Sequence, residues 1–144
     1  MLKVILDSNI LASATISNKG NPAKILFSWR QKKFELIVTE KIMQEAWRVL
    51  FYQRVRAISY LSKQEVTDLL LELQNGSILI PTTLDLKVIE KDPTDDKYII
   101  AAVEGQADYI VSGDQHLLEL GSYENIKIVS PKEFLEILEA QEKR

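Results

Sequence analysis

The chain of 144 residues has no cysteine and one histidine. Without thiols, disulfide scaffolds, thiolate zinc sites, iron–sulfur clusters and cysteine nucleophiles are all excluded. A single histidine likewise excludes any mechanism built on a histidine pair. Glycine is scarce, and the residues at 20, 76, 105, 113 and 121 form neither G-x-G-x-x-G nor G-x-x-x-x-G-K-[ST], so there is no phosphate-cradling loop. Cationic excess is missing too: 18 Lys+Arg against 21 Asp+Glu give −3, which rules out a globally basic nucleic-acid coat. No stretch approaches the ~18 apolar residues of a membrane helix; Tyr98 to Val103 is a typical short run. The opening apolar run ends at Asp7, too early for a secretory h-region. A soluble, cytoplasmic protein is therefore the expectation. Against these absences stand an ordinary hydrophobic content of 46%, which argues against disorder, and a length that suits one domain over residues 1–144. Among reactive groups only carboxylates remain abundant.

Short β-rich apolar runs alternate with longer amphipathic stretches. Strands are expected at Leu2–Leu6, Leu36–Val38, Ile78–Ile80, Tyr109–Val111 and Ile126–Val129. The first and fourth are continuously apolar, as buried parallel strands tend to be. Helix starts are marked by Asn21-Pro22, by Thr39 and Thr94 as N-caps, and by two capping boxes, Ser62-Lys63-Gln64-Glu65 and Ser130-Pro131-Lys132-Glu133. Helices between strands mean crossover connections. The expected fold is thus α/β, three layers, with a central, mainly parallel sheet of about five strands.

In such sheets ligands bind beyond the carboxyl ends of the strands. Asp7 ends the first strand, and Asp114 follows Tyr109-Ile110-Val111-Ser112-Gly113. Each alone is equally well read as a helix N-cap or turn residue. Glu45 is more unusual, because the segment from Glu40 to Phe51 sets Ile42, Met43, Ala46, Val49 and Leu50 at helical spacing and Glu45 falls within that stripe. Facing inward it needs a partner; the alternative is a side chain at the stripe edge paired with Arg48. Asp95 and Asp96 open the helix that continues Tyr98-Ile99-Ile100-Ala101-Ala102. Acids in a first turn suit the helix dipole whatever their role, yet Asp96 has Ile99 and Ile100 at +3 and +4 and so faces the sheet. Four acids at two strand ends and two inward helix positions make a candidate site.

Taken together, Asp7-Ser8-Asn9-Ile10, the inward Glu45, Asp92-Pro93-Thr94-Asp95-Asp96-Lys97 and Ser112-Gly113-Asp114-Gln115-His116-Leu117-Leu118 resemble the PIN domain family, and more narrowly its branch of toxins from toxin–antitoxin pairs. The resemblance covers essentially the whole chain. It implies an acidic metal-binding quartet of Asp7, Glu45, Asp96 and Asp114, with Asn9, Asp95 and Ser112 in support, and leaves open whether Asp95 or Asp96 is the direct ligand. It also implies cleavage of single-stranded RNA with Mg²⁺ or Mn²⁺. The residues agree independently, since hard carboxylate oxygens without Cys or His suit Mg²⁺ or Mn²⁺ and not Zn²⁺.

An RNA nuclease also needs cations for the flanking phosphates. Arg48, Arg54 and Arg56 cluster in one segment, with Lys24, Arg30, Lys32 and Lys33 in another, and Trp29, Trp47, Phe51 and Tyr52 lie near them. The alternative is solvated helix faces with the aromatics in a core. Trp47 and Phe51 are expected to form an exposed patch for a homodimer or antitoxin partner, as the resemblance implies for toxins of this kind. His116 reads as a surface or capping group. Competing functions are a catalytically weak PIN-like module that binds RNA or protein, and a receiver-like domain. The latter wants an acidic pair after the first strand and a lysine after the last, and this chain has neither. A phosphatase of the haloacid-dehalogenase type wants Asp-x-Asp after the first strand, where Asn9 stands instead of the second acid.

Overall fold

The computed structural model describes residues 1–81 and 96–143, so Asp92, Asp95 and the N-cap expected at Thr94 lie outside the described residues. The elements in chain order are β1 (Lys3–Leu6), α1 (Ser8–Ile16), α2 (Asn21–Arg30), β2 (Glu35–Val38), α3 (Glu40–Leu50), α4 (Gln53–Ile58), α5 (Lys63–Gly76) and β3 (Ile78–Leu79). They continue with α6 (Asp96–Gly105), β4 (Tyr109–Val111), α7 (Gln115–Leu120), β5 (Ser122–Tyr123), β6 (Ile126–Val129) and α8 (Pro131–Glu142). The sheet order is β3-β2-β1-β4-β6-β5, parallel except for the β5–β6 pair. The expected strands appear as β1, β2, β3, β4 and β6. The sheet has six strands among the described residues rather than about five. The added β5 pairs antiparallel through Ser122 and Tyr123 alone, too short to show a hydrophobic period.

The strand side chains alternate between two cores. Val4, Leu6, Leu36, Val38, Val111 and Val129 pack on one face with Ile25 and Leu26 of α2, Met43 and Ala46 of α3, Leu70 of α5 and Phe134 of α8. Ile5, Ile37, Ile110 and Ile128 pack on the other with Tyr98, Ile99 and Ala102 of α6 and Leu117 of α7. The central strands β1 and β4 bury both faces, which is why their sequences are almost continuously apolar.

Local chemistry sets the helix starts. Thr39 caps α3 by accepting from the Ile42 N–H at 3.1 Å. Both expected capping boxes close, Ser62 with Glu65 and Ser130 with Glu133. At α2 the expectation shifts by one residue: Gly20 is the N-cap and Asn21 already lies in the helix, with Pro22 just after it. The α3 stripe is as read, with Ile42, Met43, Ala46, Val49 and Leu50 buried.

Where α6 ends, its backbone comes close to β2. A Cβ on Gly105 would stand 3.0 Å from Cδ1 and Cγ2 of Ile37 and from Cδ1 of Ile80. Ala is the better helix former by up to about 1 kcal/mol, but overpacking a full core costs about 1–3 kcal/mol. Gly105→Ala is therefore expected to lower stability by about 1 kcal/mol; a denaturation midpoint equal to or above that of the parent would show that Ile37 yields.

Candidate functional site at the ends of β1 and β4

Because β1 and β4 are adjacent and parallel, with Leu6 beside Val111, the residues that follow them leave the sheet at the same edge. The Asp7 N–H continues the ladder by donating to the Val111 carbonyl at 3.0 Å. The Asp7 side chain turns into the protein at 2% exposure. Its Oδ1 caps α1, accepting from the Asn9 N–H at 3.0 Å, and its Oδ2 accepts from the Ser112 hydroxyl at 2.7 Å. Ser112 Oγ in turn accepts from the Asp114 N–H at 2.9 Å. Asp114 caps α7, its Oδ1 accepting from the Leu117 N–H at 3.1 Å. Both aspartates are thus helix N-caps, yet Ser112 joins them into one polar network across the strand ends.

Glu45 reaches this network from α3. Its side chain is 16% exposed. Oε1 accepts a hydrogen bond from the Tyr98 hydroxyl, and Oε2 pairs with Lys97 Nζ at 2.6 Å. Arg48, the partner expected from the same helix, stands farther off at 3.8 Å and is largely exposed. The Tyr98 hydroxyl is the second hub: it lies within hydrogen-bond distance of Ser8 Oγ at 3.2 Å and accepts from the Ser8 N–H at 3.1 Å. Tyr98 therefore ties the start of α1, next to Asp7, to the inward acid of α3. Asp96 is buried at 5% exposure in the first turn of α6, one residue before Lys97.

The electrostatics follow from this crowding. Burial pushes the Asp7 carboxyl above the usual carboxylate range and the nearby Glu45 charge adds to the rise, while the Asn9 N–H and the Ser112 and Tyr98 hydroxyls oppose it. Burial likewise pushes the Tyr98 hydroxyl far up, with the Asp7 charge and the bond to Glu45 in support, so the phenol keeps its proton and remains a donor. Among the described residues, no three of the His, Asp and Glu side chains stand close enough together to hold a metal ion.

The supporting residues divide. Ser112 is central. Asn9 is exposed and contributes its backbone N–H. Of the arginines, Arg48 lies beside Glu45, Arg54 stacks over the Tyr52 ring at 5.7 Å, and Arg56 is tied down by donating to the Leu61 carbonyl at 3.0 Å. Trp29 follows the alternative reading of the aromatics and is a core residue at 8% exposure, while one aromatic expectation needs correction. Trp47 and Phe51 are not an exposed patch; they stack at 6.2 Å between ring centroids and lie half-buried against the core. Ser8, Lys97 and Tyr98 were missed as site residues. A tyrosine inside an apolar helical run is a usable signal, since a buried phenol has to find a hydrogen-bond partner.

Because the folded chain holds the Asp7 proton more tightly than the unfolded one, Asp7 favours the fold at low pH. That contribution is lost as pH rises from its ordinary value of 3.8 through the raised one. Thermal melts across this window should show the stability of the parent relative to Asp7→Asn shrinking as pH rises. A constant difference would mean that Asp7 ionises normally.

The PIN domain family model matches residues 3–116. The chain is 28% identical over 147 residues to the uncharacterized protein MJ1680 of Methanocaldococcus jannaschii, an alignment covering 96% of this chain and 92% of that one. Its fold is similar to the crystal structure of PAE2754 from Pyrobaculum aerophilum, with a TM-score of 0.63 at 14% identity, covering 97% of this chain and 90% of that chain. The matched span takes in all four acids and the elements that carry them, and the chain belongs to the PIN domain family.

Proposed function

We propose that this chain is an endoribonuclease that hydrolyses phosphodiester bonds of single-stranded RNA with Mg²⁺ or Mn²⁺, as the toxin of a cytoplasmic toxin–antitoxin pair and as a single domain over residues 1–144. The observation that carries the reading is the buried carboxyl of Asp7, linked through Ser112 to Asp114 and destabilised as an anion by burial and by Glu45. A structural cap alone gains nothing from a second acid turned toward it.

The donor set fits a hard divalent cation. It is all oxygen, and a buried carboxyl held above its usual range is relieved by a positive ion. Since no three of these side chains stand close enough to bind one ion directly, Asp7, Glu45 and Asp96 would hold it in part through water, with Asp114 completing the site. Such an ion supplies a more acidic water as nucleophile and stabilises charge on the leaving oxygen. The chain itself supplies orientation: Ser112 fixes Asp7 against the Asp114 turn, and Tyr98 fixes Glu45 against the start of α1. Arg48, exposed beside Glu45, and Arg54, over Tyr52, would receive phosphates flanking the cut. Arg56 would join them only by releasing the Leu61 carbonyl.

Asp7→Asn combined with Asp96→Asn should abolish cation-dependent cleavage of single-stranded RNA while the circular dichroism spectrum stays that of the parent. Undiminished cleavage would place the activity elsewhere. If the parent binds RNA but never cleaves it, the binding-module reading takes over.

The partner half of the proposal is a homodimer that binds an antitoxin. Its support is the exposed apolar surface of Tyr52, Ile58 and Tyr60 around α4, 37%, 62% and 51% exposed. Size-exclusion chromatography with light scattering should give a dimer; a monomer at high concentration would count against it.

A further inference from the structure

Glu45 is engaged on both of its oxygens, and both close contacts come from consecutive residues in the first turn of α6. Tyr98 donates to Oε1 and Lys97 Nζ lies 2.6 Å from Oε2. The Lys97 side chain is 14% exposed, and its ammonium lies 5.1 Å from the centroid of the Tyr98 ring. Arg48, by contrast, is 3.8 Å from Glu45 and 61% exposed. The two cations are therefore unequal: water and salt screen Arg48, whereas Lys97 meets Glu45 where screening is weak. A lysine ammonium is a compact point charge with no acceptor, so on a carboxylate oxygen it occupies the place a cation would take.

We infer that Lys97 is a positioning residue, the internal counter-cation of Glu45, and that its hold on Glu45 sets the affinity of the site for a divalent ion. The inference rests on the metal-dependent reading above. While no ion is bound, Lys97 neutralises Glu45 and keeps its side chain turned toward Tyr98 and the start of α1. When an ion binds, the ammonium has to give up Oε2 and withdraw, because the two positive charges compete for one carboxylate. Asp96, the residue next to Lys97, is buried in the same turn, so the turn carries both an acid proposed to hold the ion and the cation that opposes it.

The test is Mn²⁺ binding to the intact chain, measured by electron paramagnetic resonance and calorimetry, with no RNA and no turnover. Lys97→Met removes the charge and keeps the length. It is expected to tighten Mn²⁺ binding by about tenfold and to lower the melting temperature of the metal-free protein. Lys97→Gln serves as a second neutral variant should Met fail to fold, and Lys97→Arg, which keeps the charge, should return the parent's affinity. In a Glu45→Gln background, Lys97→Met should leave Mn²⁺ affinity unchanged. A merely structural ion pair moves the melting temperature alone, so equal Mn²⁺ affinity in the parent and both neutral variants overturns the inference and leaves the metal reading standing. Failure of the parent and every variant to bind Mn²⁺ overturns the metal reading and the inference with it.

Discussion

Parallel pairing of β1 with β4 at the centre of the sheet determines where the polar groups of this molecule meet. The register that sets Leu6 beside Val111 brings Asp7 and Ser112 to the same edge, one residue beyond each strand. The Asp7 N–H bonds to the Val111 carbonyl, and the Ser112 hydroxyl bonds to the Asp7 carboxylate. A register slip of one residue would turn Ile5 and Ile110 to the wrong core and carry Asp7 away from Ser112. The two apolar cores that the strands bury, one on each face, thus hold the site's geometry as well as the fold.

Around that edge the protein gathers negative charge that a core would ordinarily exclude. Asp7, Glu45 and Asp96 are each at least largely buried, and the Glu45 charge adds to the cost of ionising Asp7. What offsets this is a ring of donors: the N–H groups at the starts of α1 and α7, the hydroxyls of Ser112 and Tyr98, and the Lys97 ammonium. The net charge of −3 takes on a different meaning here. Part of it sits inside the protein, paired locally, so the outer surface is closer to neutral than composition suggests, and a nuclease reading does not need a basic chain.

How far the sequence discloses the site depends on the range of the interaction. The inward turn of Glu45 follows from the spacing of Ile42, Met43, Ala46 and Val49, because a helix repeats every ~3.6 residues and the stripe is set within one element. Both Ser-x-x-Glu boxes are similarly local. The role of Tyr98 is not. It reads as one more apolar residue of α6, and its hydroxyl gains meaning only when Ser8 and Glu45, 90 and 53 residues away in the chain, arrive beside it. Lys97 is hidden in the same way, since the acids just before it in the sequence are nearer apparent partners than Glu45. The hairpin strand β5 and the one-residue shift at Asn21 escape for a simpler reason: two residues carry no period, and Gly20 competes with Asn21 for the same cap position.

By itself, then, the sequence determined the strand and helix alternation, the double-sided burial of the strands and the four acids at the matched positions, because each is a property of one segment read in order. Tertiary structure alone decided that the Ser112 hydroxyl meets the Asp7 carboxyl, that Glu45 lies closer to Lys97 and Tyr98 than to the Arg48 of its own helix, and that Trp29, Trp47 and Phe51 turn to the core. Those outcomes are choices among partners far apart in the chain, and partners compete only once the sheet has closed and the water between them has gone.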